Sequence, residues 1–113
     1  MRRFIALLRD YSERRVAFGK KINEHTLHYQ TMADFEATYR GNLMFILEIA
    51  NLVGKIDAGK GSKKDQMYLR FLTPLAKLFT AKEAMRIASE GLESFGGLGY
   101  MENSHLPQIM RDA

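Results

Sequence analysis

Residues 32–53 read MADFEATYRGNLMFILEIANLV. Met32, Phe35, Tyr39, Leu43, Ile46, Ala50 and Val53 step by three or four throughout, the spacing of one stripe on an α-helix. With its polar ends included, the pattern predicts a helix of about 28 residues, roughly 40 Å long at 1.5 Å per residue. A stripe of that length has to be covered by other helices, and the flanking sequence supplies two.

Phe4, Leu7, Leu8 and Tyr11 fall at i, i+3, i+4 and i+7. They predict a first helix to about Arg15, ending near Phe18-Gly19 with glycine as its stop. Asp57–Lys63, DAGKGSK, reads as a polar turn. A third helix is expected from about Lys64 to Glu93, with Tyr68, Phe71, Leu75, Leu78, Met85, Ala88 and Leu92 as its stripe. Pro74 inside it removes one backbone donor and predicts a kink. Pro107 suits the first turn of a short last helix over 108–113. No segment alternates with period two for long enough to make a strand. The methionines fall mainly on the stripes and read as core. The expected class is all-α, an antiparallel up-down helix bundle forming one domain over residues 1–113.

At 113 residues the chain has apolar content for a single modest core. It has no cysteine, which excludes a disulfide framework, a thiol nucleophile and a Cys-based metal site. A net charge of +4 makes no case for a dedicated nucleic-acid binder. No apolar run approaches the roughly 18 residues that span a bilayer. The opening MRRFIALLRDY has only FIALL before Arg9 and Asp10, too little for a signal peptide. Arg2 and Arg3 run straight into an amphipathic helix without a capping residue, and the last helix stops after little more than a turn. The expectation is a segment of a larger protein, truncated at both ends.

Several chemical patterns fail on inspection. Gly54 to Lys60 has the GxxxxGK spacing of a phosphate-binding loop, but Gly61 replaces the Ser or Thr and a helix precedes it. Gly97-Leu98-Gly99 has the look of a dinucleotide fingerprint, yet it too follows a helix and lacks a third glycine. His25 and His28 lie three apart without a convincing third and fourth metal ligand. His25 is expected at the start of the long helix, with a polar partner. The basic clusters Arg14-Arg15, Lys20-Lys21 and Lys63-Lys64 read as solvated charge that would also suit a phosphate-rich ligand.

Three ordered motifs go further. Tyr11-x-x-x-Arg15-x-x-Phe18-Gly19 with His25 after a short turn, Phe95-Gly96-Gly97-x-Gly99-Tyr100, and Arg111-Asp112-Ala113 together resemble the C-terminal helical domain of the acyl-CoA dehydrogenases. The resemblance covers essentially the whole chain. Arg70-x-x-x-Pro74-x-Ala76-Lys77 and Gly99-Tyr100-x-Glu102 with Pro107 look most like the branch that contains the flavoprotein AidB.

The resemblance implies an FAD enzyme that removes two hydrogens across the α and β carbons of an acyl-CoA. A carboxylate takes the proton, hydride passes to the flavin, and electrons leave to an electron-transfer flavoprotein. It also implies a homo-oligomer, dimer or tetramer, with FAD partly at the subunit interface. Arg15 corresponds to the arginine at the cofactor pyrophosphate, with Val16, Ala17 and Phe18 lining the adenine side. His25 and Thr26 match a contact pair in which glutamine is common at the second position. Glu93, Ser94, Phe95, Gly96 and Gly97 form the glycine-loop contact, with Glu93 where glutamine is frequent. The catalytic glutamate of the family lies either just after the Arg-Asp-Ala motif or about three turns before Met1. Glu90, Glu93 and Glu102 are therefore not expected to be the base, and the fragment alone is expected to be inactive. An AidB-like role in ligand binding or protection, and a purely structural helical module, are the alternatives. The family's homes are the mitochondrial matrix and the cytoplasm, which leaves the compartment open.

Overall fold

The computed structural model describes all residues, Met1–Ala113. It contains α1 (Arg2–Arg14), a two-residue hairpin of β1 (Val16–Ala17) and β2 (Lys20–Lys21), a 3-10 turn (Ile22–Glu24) and α2 (Thr26–Asp57). Then come α3 (Lys63–Ser94), α4 (Gly97–Tyr100), a second 3-10 turn (Glu102–Ser104) and α5 (Leu106–Arg111). The class is all-α, as the periodicity requires. The long helix has 32 residues rather than about 28. Pro107 lies in the first turn of α5, where its missing N–H costs nothing. Pro74 sits inside α3, and the helix continues through it.

The chain divides into two compact units. The first comprises residues 1–39 and 83–113. Its core joins Phe4, Ile5 and Leu8 of α1, Phe35 of α2, Ile87 and Leu92 of α3, Phe95 and Leu106. Phe4 meets Phe95 edge to face, with centroids 5.8 Å apart. The buried positions of α1 are 4, 5, 8 and 12, so the expected stripe is shifted: Leu7 is exposed and Ser12 is inside. Arg86 of α3 ties Asp34 and Thr38, one turn apart on α2, at 2.9 and 3.1 Å. That pair is exposed and adds specificity more than stability.

Two expectations near the end of α1 are corrected. The helix stops at Arg14, and Gly19 is not its cap. Arg15 turns to extended backbone, and the chain then pairs Val16 with Lys21 and Ala17 with Lys20. Phe18 and Gly19 are the hairpin's central residues, with φ of 53° and 83°. Two positive φ values make a type I′ turn, which matches the twist of paired strands. Period-two reading cannot detect strands of two residues, so this hairpin was invisible to it.

The second unit, residues 40–82, is a pair of helical segments joined by a tight turn. Gly59 N–H bonds Ile56 C=O and Lys60 N–H bonds Lys55 C=O, which is a Schellman close for α2. The apparent phosphate loop is therefore the last turn of a helix and its cap. Ser62 then opens α3 with a reciprocal cap. Its Oγ accepts the Asp65 N–H at 3.1 Å, while the Asp65 carboxylate accepts the Ser62 N–H at 2.8 Å. Lys55 Nζ donates to both Asp65 oxygens at 3.0 Å. The Ser62 hydrogen bonds, then Lys55, push the Asp65 pKa down to about 2. Because the folded value is depressed, this contribution is full above the ordinary carboxylate range and is lost as pH falls from about 4 toward about 2. Asp65→Asn should flatten that acid limb of the helical circular-dichroism signal; an unchanged limb would remove the cap from the explanation.

The inward positions of this unit are Asn42, Leu52, Leu72 and Ala76, flanked by half-buried Phe45, Ile49, Ile56 and Leu69. The expected stripe residues Leu43, Ile46, Ala50 and Val53 are exposed, as are Tyr68, Phe71, Leu75, Leu78 and Met85. Four of the methionines, Met44, Met67, Met85 and Met101, are exposed too, so the core reading of them fails. Within residues 40–82 both helices are apolar on two faces, and the periodicity followed the outward one; in the first unit Phe35, Ala88 and Leu92 of the same stripes are buried as expected.

Candidate functional site

The motif residues collect at the end of α1. Arg15 closes that helix, and the Ile22 N–H donates to its carbonyl at 3.0 Å, pinning the base of the hairpin. The Arg15 side chain is exposed and has no hydrogen-bond or ion-pair partner within the chain. Its neighbour Arg14 is committed to Asp10. Lys20 donates to the Glu24 carbonyl at 3.0 Å. The hairpin thus presents one free guanidinium among basic neighbours.

Val16 is exposed and Ala17 half-buried, while Phe18 is 96% exposed. A phenylalanine held in left-handed backbone costs roughly 1–2 kcal/mol. Nothing in the chain's core repays that, which directs attention outward. His25 stands just before α2, as expected, and its Nε2 lies 3.1 Å from the Ala17 carbonyl. Thr26 is the first residue of α2 and is exposed.

The second group lies at the end of α3. Glu93 and Ser94 are its last residues, and Ser94 Oγ donates back to the Glu90 carbonyl at 3.2 Å. Phe95 is buried, so its ring serves the core rather than a ligand. Gly96, at φ 60°, ends α3, and its N–H bonds the Glu93 carbonyl at 2.9 Å. Gly97 at once begins α4, so the glycine segment is a break between two helices rather than an open loop. A Cβ on Gly97 would meet nothing within 4 Å. Tyr11 links the groups: its ring lies 4.9 Å from that of Phe95, and its OH donates to the Phe95 carbonyl at 3.4 Å. Arg15 follows one turn later, its N–H donating to the Tyr11 carbonyl at 2.9 Å.

Sequence reasoning missed one polar contact beneath the hairpin. Ser12 is buried, its Oγ donating to the Leu8 carbonyl and lying 2.7 Å from His28 Nε2. Since that hydroxyl proton is used, His28 must donate, which fixes its Nε2–H tautomer. The available signal was a serine at i+4 from Leu8 on a buried face. Burial, then the His25 charge, lowers the His28 pKa below its ordinary 6.5. The unfolded chain therefore binds the proton more readily, and stability should fall as pH drops below 6.5. Ser12→Ala should cost about 1–3 kcal/mol by leaving the imidazole N–H unpaired. Thermal melts between pH 7.5 and 5 test both points, and a pH-independent melt for His28→Leu is expected.

Glu102 forms a two-pronged pair with Arg111 at 3.0 and 2.9 Å, and those hydrogen bonds lower its pKa. Arg111 of the terminal motif is thus a structural partner of the segment after the glycines.

Comparison with known proteins places the chain in a family. The acyl-CoA dehydrogenase C-terminal domain model covers residues 1–113. Acyl-CoA dehydrogenase family member 11 of Caenorhabditis elegans is 47% identical over the whole chain, which spans 18% of that relative. AidB of Escherichia coli is 26% identical over 112 residues, 99% of this chain and 20% of its own. The crystal structure of C. elegans ACDH-11 in complex with C11-CoA superposes with a TM-score of 0.94 at 46% identity, covering 98% of this chain and 19% of that one. With that model matched from end to end, the chain belongs to the acyl-CoA dehydrogenase family, as its C-terminal domain.

Proposed function

We propose that this domain supplies one side of an FAD site and an oligomer interface to an acyl-CoA dehydrogenase that oxidises acyl-CoA to trans-2-enoyl-CoA. The observation that carries the cofactor reading is the free Arg15 guanidinium on a pinned hairpin. A fixed fork of donors suits a pyrophosphate, pairing with two oxygens at once. Gly97 adds bare backbone that no contact within the chain requires, and Phe18 offers an exposed ring for an adenine face. Glu93 is the one group at odds with a phosphate-rich neighbour. It is exposed near the negative end of α3 without a partner in the chain, and the cofactor's hydroxyl groups are the donors that would suit it. Val16, Ala17, Thr26, Ser94 and Gly96 act through backbone and shape. The flavin, when bound, supplies the two-electron oxidation. The proton-abstracting carboxylate belongs to sequence outside residues 1–113, and electrons pass on to an electron-transfer flavoprotein.

The oligomer reading rests on the outward face of residues 40–82. Met44, Leu47, Met67, Tyr68, Phe71 and Leu78 are all more than half exposed there, large apolar side chains without cover in the chain. We assign that face to copies of the same protein.

Anaerobic titration of the full-length protein with saturated acyl-CoAs of graded length tests the whole. Bleaching of the flavin spectrum is expected. Flavin that stays oxidised would sink the dehydrogenase reading, and a full-length protein without flavin would sink the cofactor reading as well.

A further inference from the structure

A two-stranded hairpin with two residue pairs is marginal by itself. This one also carries Phe18 in a backbone region that phenylalanine disfavours. Something outside the strands has to hold the tip. The Ala17 carbonyl, one residue before Phe18, can only accept a hydrogen bond, so the His25 nitrogen 3.1 Å away donates. The same imidazole meets the Phe18 ring edge to face, centroids 6.2 Å apart and planes at 85°. His25 is itself anchored at both backbone groups. Its N–H donates to the Ile22 carbonyl at 3.1 Å, and its carbonyl accepts the Tyr29 N–H at 2.9 Å in the first turn of α2. The imidazole is therefore a strut between the start of a long helix and the hairpin tip.

We infer that His25 is a positioning residue for this hairpin: its Nε2–H holds Ala17, and its ring holds Phe18, at the place where the proposed cofactor site needs them. The inference rests on the flavin reading only for what the tip meets. It replaces the expectation of direct contact through that nitrogen, because its proton is spent within the chain. The shape of the tip follows from α2 through His25 and is set before any ligand arrives.

The test uses the full-length protein with His25→Gln, whose amide retains a donor, and His25→Phe, which keeps a ring without one. Amide hydrogen exchange over residues 16–22 is read in the flavin-free protein, and FAD affinity is read separately. Exchange is expected to quicken about tenfold in His25→Phe, the equilibrium worth of one hydrogen bond, and to stay near wild type in His25→Gln. Exchange in the middle of α2 should be the same in all three. FAD affinity should weaken in the same order as hairpin exchange quickens. Unchanged hairpin exchange in His25→Phe overturns the inference. So does an equal loss of FAD affinity in both variants with wild-type exchange in His25→Gln, which would mean direct contact by the imidazole. If wild-type protein binds no FAD, the flavin reading fails, while hairpin exchange still decides the role of His25.

Discussion

Gly99→Ala should lower the stability of the protein by about 3 kcal/mol, the upper end for forced overpacking. A Cβ at Gly99 would lie 2.2 Å from the Leu92 carbonyl oxygen and 2.9 Å from its carbon. These are backbone atoms in the last turn of α3, so no rotamer change relieves the clash. Gly97→Ala is the matched control. Its Cβ meets nothing within 4 Å, and the position begins a helical turn, so the melting temperature should hold or rise slightly. If Gly97 faces the cofactor as proposed, the same alanine should weaken FAD binding. Two glycines two residues apart thus separate into one required by the fold and one required by the site. Equal melting temperatures for wild type and Gly99→Ala would show that α4 does not pack on Leu92 as described.

Arg15→Met should reduce FAD affinity on the order of 100-fold, since hydrogen bonds to a charged group are worth about 1.5–3 kcal/mol. Stability should not change, because the Arg15 side chain makes no contact that the fold uses. Arg15→Lys should recover only part of the affinity, as a point charge replaces a planar fork. Flavin fluorescence on titration into the stripped full-length protein reads all three. Wild-type affinity in Arg15→Met would remove the pyrophosphate contact and leave Phe18 and Gly97 as the remaining support for the site.

The helices were legible because apolar residues recur at helical spacing over long stretches, and because Gly59, Ser62, Gly96 and Pro107 punctuate them where backbone chemistry demands. The site was legible only through the order of its motifs. Arg15 and Gly97 are 82 positions apart, and no periodicity relates them. The hairpin at residues 16–21 escaped notice because two-residue strands leave no alternating pattern. The Ser12–His28 contact escaped because a serine on a helix reads as solvent-facing until its neighbours are known.

What the sequence determined by itself is the all-α class, the number and rough limits of the long helices, and the family. Local propensity, capping and motif order carry that information in residues close together along the chain. Over residues 40–82, which face of each helix turns inward was decided by tertiary structure alone. Leu43, Ile46, Phe71 and Leu75 have the same helical spacing and apolar character as Leu52, Leu72 and Ala76, yet they stand exposed. Hydrophobicity is non-directional, and a helix with two apolar faces gives periodicity no means of choosing between them. Shape complementarity within each unit makes that choice.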